Sequence, residues 1–147
     1  MIPLLFMLST GYADEFQEAL DTARQAILDE DYAKATEILN SAETIAPTSS
    51  EILTPSQIAQ IWYLHGVLNY RQGKEPLDEW RQTLIIHLGH QWDNELLDDE
   101  SARDAYIALQ TEVQNRPIVS LRIPEKYGQA QLYVDGFLRA PADFAYK

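Results

Sequence analysis

The stretch "DYAKATEILNSAETIAP", Asp31 to Pro47, decides the fold. Ala35, Leu39 and Ala42 recur at four- and three-residue steps, so they share one face of a helix running from about Tyr32 to Ile45. Pro47 and the "TSS" after it end that helix. Upstream, Phe16, Leu20, Ala23 and Ile27 have the same spacing and predict a helix beginning at Asp14. Asp14 and Gln17 are spaced as a capping box, and acids crowd the first turn, where the helix dipole favours them. Only the polar cluster Asp29-Glu30-Asp31 separates the two helices. A connection that short makes them antiparallel. Small residues at 23, 35 and 42 let them approach closely, while Tyr32 and Leu39 fill the space between.

A second pair follows. Thr54-Pro55-Ser56-Gln57 is a strong helix start, with threonine as cap, proline at the first helical position and glutamine closing the box. "IWYLHGVLNYRQG" continues that helix, and "PLDEWRQTLIIHL" from Pro76 predicts the next, with Leu77, Trp80, Thr83 and Leu84 at helical spacing. A fifth helix, about Asp99 to Gln114, carries Ala102, Tyr106, Ile107, Leu109 and Val113. Asp98-Asp99-Glu100 places acids at its N-terminus.

Here the sequence resembles the tetratricopeptide (TPR) repeat over about residues 15–90. Tyr32, Ala35, Leu39, Ala42 and Pro47 match that family's spacing in its second helix. Glu30 stands where the family usually has glycine, and Ala19 where it prefers tryptophan. Trp62, Gly66, Tyr70 and Gly73 fall on the tryptophan, small-residue, tyrosine and turn-glycine positions of a second copy. The resemblance implies a stack of helical hairpins, closed by the fifth helix as a cap, that binds a peptide or protein on the inner face of each first helix. Mapped onto this chain, that face holds Gln17, Leu20, Arg24, Ile27 and Leu28, then Gln60, Tyr63, Val67, Tyr70 and Arg71. Its expected partner-binding residues are Arg24, Tyr63, Val67, Tyr70 and Arg71. Tyrosine and arginine are favoured hot-spot types, and arginine holds a carboxylate bidentately.

From Ile118 the period changes to two in "IVSLRI", "AQLYV" and "FLRAP", which predicts strands. Asp135-Gly136 is a hairpin signal, because such turns need residues that tolerate positive φ. This segment resembles the start of a PEGA domain, a small β module of envelope proteins. Pro124, Glu125, Gly128 and Ala130 give its signature in stretched form, Tyr133 to Gly136 the "YVDG" after it, and Pro141 its later proline. The family's later strands are missing before Lys147. The expectation is a fragment of a longer protein, strands docked on the helices, or a sheet that a partner or second copy completes.

Composition sets outer bounds. Twenty-three acids against eleven bases give a formal charge of −12, which repels phosphate backbones and argues against nucleic-acid binding. From Arg116 onward five bases face three acids, a net +2, so residues 1–115 carry −14. That shift marks a boundary near Pro117, between a helical domain (14–115) and a β segment (117–147). There are no cysteines, so disulfides and thiolate metal sites are excluded. Residues 1–13 open with an apolar run and end in Gly11 and Ala13. This predicts a secretory signal cleaved after Ala13, the alternative being an N-terminal helix on the core. The run is too short to span a membrane.

No nucleophile elbow, phosphate loop or dinucleotide fingerprint occurs. His87 and His90, with Asp93 and Glu95, give a metal-type spacing, and a structural or surface role is the reading preferred for them. Trp62 and Trp80 are expected to pack the second hairpin, and Trp92, in a polar loop, to be exposed. The expected fold is mainly α, about five helices in TPR-like antiparallel hairpins, with a small C-terminal antiparallel β-hairpin or meander. The expected function is a non-enzymatic protein–protein interaction module of the bacterial cell envelope, an adaptor or assembly subunit without cofactor. The first alternative is a structural subunit held by its termini with no peptide groove. A metal-binding protein using His87 and His90 comes third. Cytoplasmic location follows if residues 1–13 are not a signal.

Overall fold

Helix α1 (Leu5–Leu28) begins nine residues before the expected Asp14. Gly11 weakens a helix without ending it, and no proline intervenes, so the first turn lies upstream and Asp14 is interior. Gln17 therefore caps nothing; its amide donates to Asp21 and to Gln60. The computed structural model describes residues 5–46, 53–116, 131–134 and 137–141. The remaining helices are α2 (Tyr32–Ile45), α3 (Pro55–Arg71), α4 (Leu77–Ile86) and α5 (Glu100–Gln114). The chain is mainly α. Among the described residues no helix is long and apolar enough to cross a membrane.

The caps follow from the sequence. Asp31 accepts from the Lys34 amide at the start of α2, and Asp99 accepts from the Ala102 amide at the start of α5. Thr54 and Gln57 form a reciprocal capping box at α3. The Gln57 amide also donates to the Ala13 carbonyl, tying the start of α3 to α1.

Both helical pairs turn by the same device. At the end of α1, Glu30 has φ +60°, Asp31 N–H donates to Ala26 and Glu30 N–H to Ile27. At the end of α3, Gly73 has φ +72°, Lys74 N–H donates to Asn69 and Gly73 N–H to Tyr70. Each is a Schellman motif, which satisfies the last carbonyls of the helix and reverses the chain.

The core runs through all five helices. Leu20, Ala23 and Ile27 of α1 face Ala35, Leu39 and Ala42 of α2, all buried. Ile61, Leu64 and Val67 of α3, Trp80 and Leu84 of α4, and Tyr106 and Leu109 of α5 continue it. Gly66 lies directly against the Trp80 ring, with no room for a Cβ. Strands β1 (Gln131–Val134) and β2 (Phe137–Pro141) pair antiparallel, with a register irregularity between Leu132 and Tyr133. Residues 1–4, the Asp135-Gly136 turn, the strand expected from Ile118 and the stretched signature at 124–130 lie outside the described residues.

Candidate functional site

The inner-face residues of α1 and α3 do come together. Gln17 touches Gln60 across the two helices, and the side chains one to two turns further on share the same surface. What lies on that surface is the chain itself: the connection from His87 to Asp99, between α4 and α5.

Asp93 is the anchor of this segment. Its backbone N–H donates to the Tyr63 hydroxyl at 2.9 Å. One carboxylate oxygen accepts from the amides of Glu95 and Leu96, closing a tight turn. The other accepts from Arg24 Nε at 2.9 Å, and the same guanidinium reaches Glu95 at 2.9 Å. Arg24 and Asp93 are 26% and 30% exposed, so their pair is shielded more than a surface pair, whereas Glu95 at 84% contributes little. Further along, Arg71 donates to the Leu96 carbonyl at 2.9 Å, and the Tyr70 hydroxyl lies near Asp99. The nearby Asp99 carboxylate raises the Tyr70 pKa. The Asp99 carboxyl is held low by the Ala102 amide first and by Tyr70 second. Three of the five expected partner-binding residues, Arg24, Tyr63 and Arg71, thus bond the chain's own segment, and Tyr70 lies beside its end at Asp99. The fifth, Val67, is fully buried.

Apolar packing seals the arrangement. Leu96 and Leu97 are core residues. Trp92 packs edge-on to Trp80 and Tyr63, with ring centroids 5.3 and 6.1 Å away. It is half-buried against the core rather than the exposed indole its polar neighbours suggest. Trp80 packs in the second hairpin as expected, against Gly66 and Tyr70, and Trp62 is partly buried against the core. Tyr63 and Tyr106 stand edge to face at 5.7 Å, and burial raises the pKa of both hydroxyls.

His90 belongs to this cluster. Its Nδ1 lies 3.0 Å from the Tyr106 hydroxyl, and its ring packs 4.5 Å from that of Tyr63. Burial, with His87 adding repulsion, pushes its pKa down to about 4 against a weaker pull from Asp93. The imidazole is neutral at pH 7 and spent on a structural hydrogen bond. Among the described residues no group of three or more His, Asp or Glu is arranged to hold a metal ion. A small polar cleft of about 130 Å³ remains beside Arg24, Gln60, Tyr63 and Asp93.

The spacing of α1 and α3 found the face but not its occupant. Asp93, Leu96 and Tyr106 were missed as parts of it. The one available signal was three large apolar residues, Trp92, Leu96 and Leu97, within the polar stretch from His90 to Asp99. No family model, curated protein or solved structure matches this chain.

Proposed function

We propose that this chain is a non-enzymatic protein-docking module built of TPR-like helical hairpins, an assembly subunit of the bacterial cell envelope. The observation that carries this reading is the occupied inner face. Arg24, Tyr63 and Arg71, residues suited to holding a peptide, hold segment 87–99 instead. This favours a subunit that docks through other surfaces over an adaptor with an open peptide groove. The paired Schellman turns at Glu30 and Gly73 support the repeat reading, since they fall where the TPR resemblance puts its turn residue. The net-positive segment 117–147, PEGA-like and strand-forming, is the first candidate docking element, with self-association as a second use. The apolar residues 1–13, as an export signal, support the envelope.

A metal or acid–base role for His87 and His90 has less support, because His90 is buried against Tyr106. The test is recovery of complexes from native cells. The reading expects a stoichiometric partner that survives Arg71→Glu and is lost on deleting residues 117–147, with helical content unchanged. Loss of the partner with Arg71→Glu in a folded protein would restore the peptide-adaptor reading.

A further inference from the structure

We infer that the outer seam of the α1–α2 hairpin is a docking groove for a cationic amphipathic helix of a partner protein, about four turns long. It rests on the reading of the chain as a docking module and adds a surface to it. Glu15, Ala19, Thr22 and Ala26 lie on the side of α1 opposite Gln17, Leu20, Arg24 and Ile27. Among the described elements, only α3 packs on this hairpin, and its Gln60 meets Gln17 on the inner side of α1.

Two clefts lie along the hairpin, one nearer each end of the described seam. The first, about 310 Å³, has a floor of Phe16, Ala19, Ile38 and Ala42. The second, about 400 Å³, has Ala26 in its floor. Alanines and Ser41 leave room for a third backbone, as ridges-into-grooves packing requires. From Glu15 to Asp29 the seam is roughly 21 Å long, the length of a 14-residue helix.

Charge selects the occupant. Glu15, Glu18, Asp21, Asp29, Asp31 and Glu37 rim the seam, against a single base, Lys34. None of these acids has an ion-pair partner among the described residues; Asp21 and Asp29 meet only the neutral amides of Gln17 and Gln25. They lie within about one Debye length of a helix seated in the seam, so lysines and arginines flanking its apolar stripe would be attracted. A second copy of this chain is a poor occupant, because a symmetric contact would set the same carboxylates against one another.

The probe is a 15-residue amphipathic peptide with leucine and phenylalanine on one face and lysine and arginine on its flanks. A counterpart carries glutamate at every basic position. Binding is read by fluorescence anisotropy and by amide shifts. The cationic peptide should bind, shift α1 and α2, and weaken about tenfold as salt rises from about 50 to 300 mM. The double substitution Glu18→Lys, Glu37→Lys should weaken it about tenfold with melting unchanged, and Ala19→Trp, which fills the cleft, should abolish it. Equal binding of both peptides, shifts confined to α4 and α5, or no binding would overturn the inference. So would a dimer that Ala19→Trp dissolves, which would make the occupant a second copy. A partner still recovered from native cells alongside any of these results would leave the docking-module reading standing and this groove refuted.

Discussion

In the α1–α2 hairpin the left-handed turn residue is Glu30, and in the α3–α4 hairpin it is Gly73. The hydrogen bonds around the two are the same, but the interfaces they close are not. The first hairpin packs methyl against leucine: Ala23, Ala35 and Ala42 with Leu20 and Leu39. Its parts lie close in sequence. The second packs Gly66 against Trp80, and Trp80 is then roofed by Tyr70, Trp92 and Tyr106. Its parts come from α3, α4, α5 and the 87–99 segment. One hairpin is specified locally; the other is complete only when the chain has returned across it.

That difference can be broken at its tightest point. Gly66→Ala would drive a methyl into the Trp80 indole, which is 1% exposed and cannot withdraw. Helix propensity alone favours alanine by about 1 kcal/mol. A loss of about 3 kcal/mol in denaturant unfolding is expected all the same, because overpacking of a rigid core dominates.

Acid should loosen the same region. The folded pKa of His90 is lowered to about 4 from 6.5, so between those values the unfolded chain binds the extra proton. Stability is therefore full above about pH 6.5 and falls as pH drops toward 4, by up to about 3 kcal/mol. His65, lowered first by burial, acts in the same direction. Comparing His90→Gln with the parent isolates the His90 share: the substituted protein should show a flatter loss over that window.

Asp93 tests the return segment. Asp93→Ala leaves the Glu95 and Leu96 amides and the Arg24 Nε–H without their acceptor and should cost about 2 kcal/mol. Asp93→Asn keeps an oxygen for the two amides and should cost under about 1 kcal/mol, the worth of a partly exposed ion pair. The smallest effect sharpens the comparison at the turn. Glu30→Gly removes the strain of a side-chain-bearing residue at φ +60° and should stabilise by about 1 kcal/mol. A gain at Glu30 would show that the first hairpin tolerates a strained turn because its helix–helix contact holds it.

The sequence exposes what is local. The bounds of α2, the Thr54 box of α3 and the Asp99 cap of α5 follow from apolar period and capping chemistry over a few residues. The start of α1 was hidden, because Asp14-Glu15 reads equally as a first turn and as an exposed interior strip. The inner face of α1 and α3 was legible from the three- and four-residue spacing. Its occupant was not, since "HLGHQWDNELLDD" has no period. The contact that fixes it, Arg24 to Asp93, spans 69 residues with no local trace. Arg24 and Arg71 read as free cations in an acidic domain. Both are committed to the 87–99 segment, Arg24 to carboxylates and Arg71 to a backbone carbonyl.

Closure of the inner face by the chain's own segment is most directly tested by hydrogen exchange at four amides. Asp93 N–H donates to Tyr63, Glu95 and Leu96 N–H to the Asp93 carboxylate, and Leu97 N–H to the Asp93 carbonyl. The expected result is protection of all four by about a thousandfold or more over an open loop, lost together in Asp93→Ala. Exchange at open-loop rates in the parent protein would contradict the account: the inner face would then be open, and Arg24, Tyr63 and Arg71 would be free to hold a peptide from another protein.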